Sequence, residues 1–248
     1  MKFDWNGFEA EKFEFEGREA IIVFPEKRDE QGNIAIKTEY WNAFPDVEIN
    51  LVKRGFHLCY LKNESRLAPK SDCDAKARFI KYLSATYNLR DKCVPVGMSC
   101  GGAHAVRFAG FYPELIACMF IDAPVLNFAS WPGLDEAKND GAWKSEFLKA
   151  YPGMKRYKLF SFSEHPINMA DRLVENRIPV ILVYGMEDMT VNWTENGKLL
   201  VEAYEGTDLL KVIPIYGRGH HPHGMVIGYG RTNAEIYEYI INTCREVK

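Results

Sequence analysis

Apolar positions recur along this chain with two periods, and the order in which the periods alternate points to the fold. Residues 13–24 read FEFEGREAIIVF, alternating apolar and polar around Glu16-Gly17 and then running continuously apolar from Ala20. That pattern predicts a hairpin feeding a buried strand. Residues 25–37 are polar around Gly32-Asn33 and predict a loop. Residues 40–54 place Phe44, Val47, Leu51 and Val52 at helical spacing and stop before Gly55, which predicts a helix. From there the alternation is regular. Short apolar strands are predicted over 56–61, 93–98, 116–121, 179–184 and 210–215, and amphipathic helices over 75–87, 102–110, 193–204 and 233–247.

Fully apolar strands separated by amphipathic helices imply an α/β fold with a mostly parallel sheet covered on both faces. Right-handed crossovers bring the carboxyl ends of such strands to one rim, where ligands bind. The regularity breaks at about 126–177. This insertion carries Trp131, Trp143, Phe147, Tyr151, Tyr157, Phe160 and Phe162, with Pro-Gly pairs at 132–133 and 152–153. Following a strand's carboxyl end, it either caps a pocket on the rim or packs as an extra helical layer. Pro95 stands against the pattern, because proline cannot donate to the ladder of a central strand; a bulge, or a nitrogen facing a non-bonded position, is the expected accommodation.

Composition narrows the picture. With 248 residues and 47% hydrophobic content the chain suits one α/β domain over 1–248. A net charge of −3, from 31 basic and 34 acidic side chains, provides no field for nucleic acid. No apolar run approaches the roughly 18 residues of a membrane span, and MKFDWNGFEAEKFEFEG lacks the apolar stretch of a secretory signal. The six cysteines are widely spaced, with no CxxC pair, as suits buried free thiols. The expectation is a cytoplasmic protein acting on a small molecule, without nucleic-acid or membrane partners; its oligomeric state is not legible.

The candidate chemistry sits at strand ends. The strand over 93–98 runs into Gly97-Met98-Ser99-Cys100-Gly101 and then directly into a helix. A serine at such a strand-to-helix turn is lifted above the rim, with the Cys100 amide aimed at the same place. It needs a base, and the base needs an orienting carboxylate. Asp188 follows the strand over 179–184 in GMED, with Glu187 beside it; Asp122 ends the strand over 116–121 and is a second candidate. The strand over 210–215 then delivers GRGHHPHG, which offers His220 or His221. The order serine, aspartate, histidine, each on a different rim loop, belongs to one hydrolase architecture. Metal binding is the rival use of these histidines, although no Cys/His/Asp cluster with ligand spacing accompanies them, so no metal or cofactor is expected. His104 reads as a packed residue.

Together, GMSCGG, GMED and GRGHHPHG resemble the α/β-hydrolase superfamily, over the chain from about Glu19 onward. EYWNAFPDVEINLVKRGFHLCYL, DAPVLNFASWPG and GHHPHG are similar to a bacterial group of small hydrolases loosely related to prolyl oligopeptidase and dienelactone hydrolase. The resemblance implies an esterase-like serine hydrolase with the α/β-hydrolase fold. Because the superfamily base commonly follows a Gly-x-Gly turn, it also implies His220 as that base, with His221 and His223 flanking and Pro222 stiffening the loop. The expected reaction is cleavage of a short acyl ester, including acetyl on a carbohydrate, by Ser99, His220 and Asp188. The oxyanion would be held by the Cys100 amide and an amide near Glu26 or Lys27 in the loop after Phe24. Trp41, Trp131 and His221 are expected in the substrate pocket. Peptidase action, with Glu164 and Glu187 as candidates to hold a peptide amino terminus, lactone cleavage and a non-catalytic receptor on the same scaffold are the alternatives.

Overall fold

The computed structural model describes residues 1–134, 140–221, 223 and 230–247; Pro222 lies outside them. Glu16 and Gly17 both adopt left-handed backbone (φ 51° and 76°), the geometry of a two-residue hairpin turn. They join β2 (Phe8–Phe15) to β3 (Arg18–Val23), with β1 (Lys2–Trp5) as the antiparallel outer partner of β2. The remaining strands are β4 (Ile34–Lys37), β5 (His57–Leu61), β6 (Cys93–Met98), β7 (Met119–Asp122), β8 (Val180–Gly185) and β9 (Leu210–Ile215). They form one nine-stranded sheet in the order β1-β2-β3-β5-β4-β6-β7-β8-β9. β3 pairs with β5 antiparallel, and every pairing from β5 to β9 is parallel.

β4 corrects the expected loop. Only four residues long, Ile34-Ala35-Ile36-Lys37 lies between β5 and β6 with all four side chains buried. Next to the turn signal Gly32-Asn33 so short an apolar run reads as loop, and its strand character comes from having partners on both sides. Lys37 reaches the core there because its ammonium pairs with buried Glu48 and donates to the Ala43 carbonyl at 3.1 Å.

The longer helices among the described residues are α1 (Asp46–Lys53), α2 (Lys70–Tyr87), α3 (Cys100–Phe111), α4 (Ala170–Glu175), α5 (Gly197–Ala203) and α6 (Gly230–Glu246). α1 and α6 cover one sheet face, where Val47, Leu51, Ile236 and Ile240 are buried; α2 and α3 cover the other with Phe79, Ile80, Val106 and Phe108. α1 is shorter than its pattern predicts. Tyr40, Asn42 and Phe44 all have positive φ, so residues 40–45 form an irregular rim loop instead of a first helical turn.

Pro95 fits as a bulge permits. Cys93 bridges to Ile116, yet Val96 pairs with Phe120, so three steps along β6 face four along its partner. The extra residue interrupts the ladder beside the proline nitrogen.

The insertion is mostly an extra layer whose aromatic cluster is continuous with the core on the α2–α3 side of the sheet. Phe128, Phe147, Tyr151, Phe162 and His165 pack at ring separations of 5.0 to 6.2 Å, and Trp143 stacks on Phe147 at 4.6 Å. All six cysteines are buried and free. Among the described residues no helix is long and apolar enough to cross a membrane.

Candidate active site

Ser99 stands at the turn between β6 and α3 with φ 53° and ψ −122°, a backbone strain that surrounding contacts must hold. Its amide donates to the Asp122 carbonyl at 3.0 Å and its carbonyl accepts from the Val125 amide at 3.0 Å. The turn closes this tightly only because residue 97 is glycine: a Cβ there would fall 2.4 Å from the Gly101 carbonyl oxygen.

Asp188 lies three residues beyond β8, 4% exposed. One carboxylate oxygen accepts from the amides of Thr190 (2.8 Å) and Val191 (2.9 Å), and the other faces His220 Nδ1 at 2.7 Å. His220 Nε2 is 3.0 Å from Ser99 Oγ. With Asp188 accepting from Nδ1–H, the neutral ring presents an Nε2 lone pair that can accept from the serine hydroxyl. Burial raises the Asp188 carboxyl, but its bonds to His220 and the two amides outweigh that and hold it below the ordinary carboxylate range. The loops carrying Asp188 and His220 are stitched together: the Glu187 amide donates to the Arg218 carbonyl at 3.0 Å, and a Cβ at residue 185 would meet the Gly219 oxygen at 2.3 Å.

Asp122, the other candidate acid, is occupied. Arg218 donates to both its oxygens, at 3.1 and 2.5 Å, and His223 Nδ1 lies 3.4 Å away. Glu187 is exposed. His104 is fully buried, with Nε2 on the Ser65 carbonyl at 2.8 Å and Nδ1 3.3 Å from the Lys76 ammonium.

Above Ser99 and His220 lies a cavity of about 340 Å³ bounded by Tyr40, Phe44, Arg66, Trp131, Val191 and His221. Nothing in the sequence patterns flags Tyr40, Phe44 or Arg66. Arg66 pairs with Glu146 of the insertion, lies over the face of the Trp131 ring at 5.3 Å and donates to the Tyr40 hydroxyl at 3.3 Å. Glu146 raises its already high pKa, so a fixed cation borders the cavity. Burial pushes the Cys100 thiol up to about 11, which leaves it protonated beside the serine.

No protein-family model and no curated protein matches the chain. Solved structures do. Puromycin hydrolase superposes with a TM-score of 0.69 at 17% identity, over 97% of this chain and 39% of its own. Pyrococcus horikoshii acylaminoacyl peptidase gives 0.69 at 15% identity, over 99% of this chain and 44% of its own. Est1E from Butyrivibrio proteoclasticus gives 0.61 at 16% identity, over 98% of both chains. The chain has the α/β-hydrolase fold. It spans about two fifths of the length of the first two structures and nearly all of the third.

Within this α/β-hydrolase framework two expected placements are corrected. Glu26 and Lys27 sit on the wrong rim. β3 runs antiparallel to β5, with Val23 opposite Leu58, so the loop after Phe24 emerges at the amino end of the parallel strands. Both residues are exposed there, and Lys27 borders a separate cleft of about 540 Å³ with Asp29, Arg54 and Arg245. The segment beside the serine is the one following β4, where Thr38 Oγ1 donates to the Gly101 carbonyl at 2.7 Å. Trp41 also misses the cavity: its ring packs 5.5 Å from both Trp5 and Tyr60, under the amino-terminal strands. Trp131 and His221 do border the cavity, and Trp131 is the aromatic that the insertion contributes to it.

Proposed function

We propose that this chain is a serine hydrolase that cleaves short-chain carboxylic esters. The observation that carries the reading is the continuous path from Asp188 Oδ2 through His220 to Ser99 Oγ, with steps of 2.7 and 3.0 Å, at the floor of the cavity. Ser99 attacks the ester carbonyl while His220 Nε2 takes its proton; His220 then gives that proton to the leaving alcohol. Water repeats the sequence on the acyl-enzyme. Asp188 keeps the Nδ1–H tautomer and stabilises the imidazolium that forms. The oxyanion is held by the Cys100 amide, and the segment Glu39–Tyr40 after β4 takes the place of Glu26 and Lys27 as source of the second donor.

The ester reading is favoured over the peptidase one by the acidic groups. A peptide's amino terminus needs a carboxylate in the pocket, and among the described residues none that borders the cavity is acidic. Glu164 is engaged by Arg107 at 2.6 Å, Glu146 by Arg66, and Glu187 is exposed. A cavity of about 340 Å³ suits a small acyl group, with acetyl on a carbohydrate the first case to try.

A fluorophosphonate probe should label wild-type protein at Ser99 and leave Ser99→Ala unlabelled. p-Nitrophenyl acetate and acetylated sugars should turn over faster than long-chain esters and aminoacyl anilides. Absence of labelling would refute the nucleophile and favour a binding protein; preference for the anilides would refute the ester assignment.

A further inference from the structure

Three histidines meet at the cavity beside Ser99, and acyl transfer uses one of them. One ring nitrogen from each of His220, His221 and His223 falls within 4.8 Å of the others. Their rings stand edge to face at 4.7 to 4.9 Å. His223 is only 2% exposed, and neither of its ring nitrogens meets a hydrogen-bond partner among the described residues, Nδ1 having only the charge contact with Asp122. A buried polar atom left so is costly, and calls for a ligand.

The surroundings orient these rings as metal ligands are oriented. His220 has the Asp188 carboxylate at Nδ1 (2.7 Å), and His223 has Asp122 at Nδ1 (3.4 Å). A carboxylate behind one ring nitrogen turns the other nitrogen's lone pair forward, as in carboxylate–histidine–zinc arrangements. Phe44 stacks on His221 and meets His223 edge-on, both at 5.7 Å, restricting the two flanking rings.

We propose that His220, His221 and His223 bind a divalent ion of the zinc class, in competition with catalysis. Three imidazoles suit zinc, copper or nickel and do not suit magnesium or calcium. The fourth position is open to water or to the Ser99 oxygen, completing a tetrahedral set. Zinc–nitrogen bonds of about 2.0–2.1 Å place tetrahedral ligands roughly 3.3 Å apart. The rings therefore close from a separation of at most 4.8 Å, a matter of side-chain rotation. Binding involves no change of oxidation state: the ion takes the Nε2 lone pair of His220 that otherwise accepts the Ser99 proton. The loaded protein is thus unable to acylate until a chelator removes the ion.

The site stands on geometry alone, whereas its inhibitory consequence rests on the hydrolase reading, and the test separates the two. Chelator-treated full-length protein is titrated with Co²⁺. One equivalent should bind with the intense visible bands of a four-coordinate ion, and Zn²⁺ should bleach them. His221→Ala, at an exposed position, and His223→Asn should each weaken binding at least tenfold. Zn²⁺ should also slow fluorophosphonate labelling of Ser99, with recovery on adding EDTA, and half-protection in His221→Ala should need at least ten times more Zn²⁺. Absence of the bands, or equal affinity in wild type and His221→Ala, overturns the site. Bands in a protein that never labels at Ser99 uphold the site and refute the hydrolase.

Discussion

Asp122 and Asp188 are buried carboxylates at the carboxyl ends of adjacent strands, 1% and 4% exposed, and both are held below the ordinary carboxylate range. Their partners differ. Arg218 closes on both oxygens of Asp122, at 3.1 and 2.5 Å, and neutralises it. Asp188 is fixed by two uncharged donors, the amides of Thr190 and Val191, and so keeps its charge for the ring of His220. A carboxylate pinned by backbone amides can orient and stabilise an imidazolium; one already paired with a guanidinium serves mainly to anchor the loop that carries His220.

The comparison is sharpened most by removing the residue that reads Asp188. His220→Ala should lower kcat by on the order of 10⁶, whereas His221→Ala should lower it by less than about tenfold, as expected for a side chain outside the proton path. Equal losses in ester kinetics would put the base elsewhere on the loop. Asp188→Asn should cost about 10⁴ in kcat with the fold retained, because it imposes the wrong imidazole tautomer.

Asp122→Asn should do the reverse. It leaves the Arg218 guanidinium buried without its countercharge, at a cost of about 3–5 kcal/mol in urea unfolding, and lowers kcat less than Asp188→Asn. A loss of activity as large as that of Asp188→Asn at unchanged stability would erase the distinction between the two carboxylates.

Acid provides a smaller test. Both folded carboxyls lie below the ordinary aspartate value of 3.8, so each contributes stability that is present above that pH and is lost as pH falls through the folded value. The wild-type advantage over Asp122→Asn in urea midpoint should therefore be flat near neutrality and fade below pH 3.8. His57, on the opposite rim, is the control. Burial, aided by Arg28, pushes it from 6.5 down to about 4, so the unfolded chain binds its proton first. Wild type should lose stability as pH falls from 6.5 towards 4, and His57→Phe should flatten that slope without altering the carboxylate comparison.

Much of this was legible in local pattern. The hairpin at Glu16-Gly17, the ends of β6 and β9, and the helix behind Ser99 follow from periodicity and glycine placement. Ser99 and Asp188, singled out at strand ends, and His220, offered there beside His221 and preferred through the resemblance, do come together in space. β4 was not legible, being four residues long and defined by its neighbours, and the mistaken rim for Glu26 and Lys27 follows from that omission. Once β4 is a strand, the segment beside the serine must come after it.

Side-chain period records only which face of an element is buried, and strand ends record where a rim lies. Both are properties of a dozen consecutive residues, which is why the layered architecture and the rim positions of the three chemical groups were already present in the order of amino acids. The partner of a buried polar group is another matter. Arg218 reaches Asp122 across 96 residues, His220 reaches Ser99 across 121, and Arg66 reaches Glu146 across 80. Which carboxylate stays charged for the imidazole, which aromatic borders the cavity and which histidines face one another depend on such contacts. Only the packed tertiary structure decides them, because hydrogen bonding and desolvation act through space and leave no period along the chain.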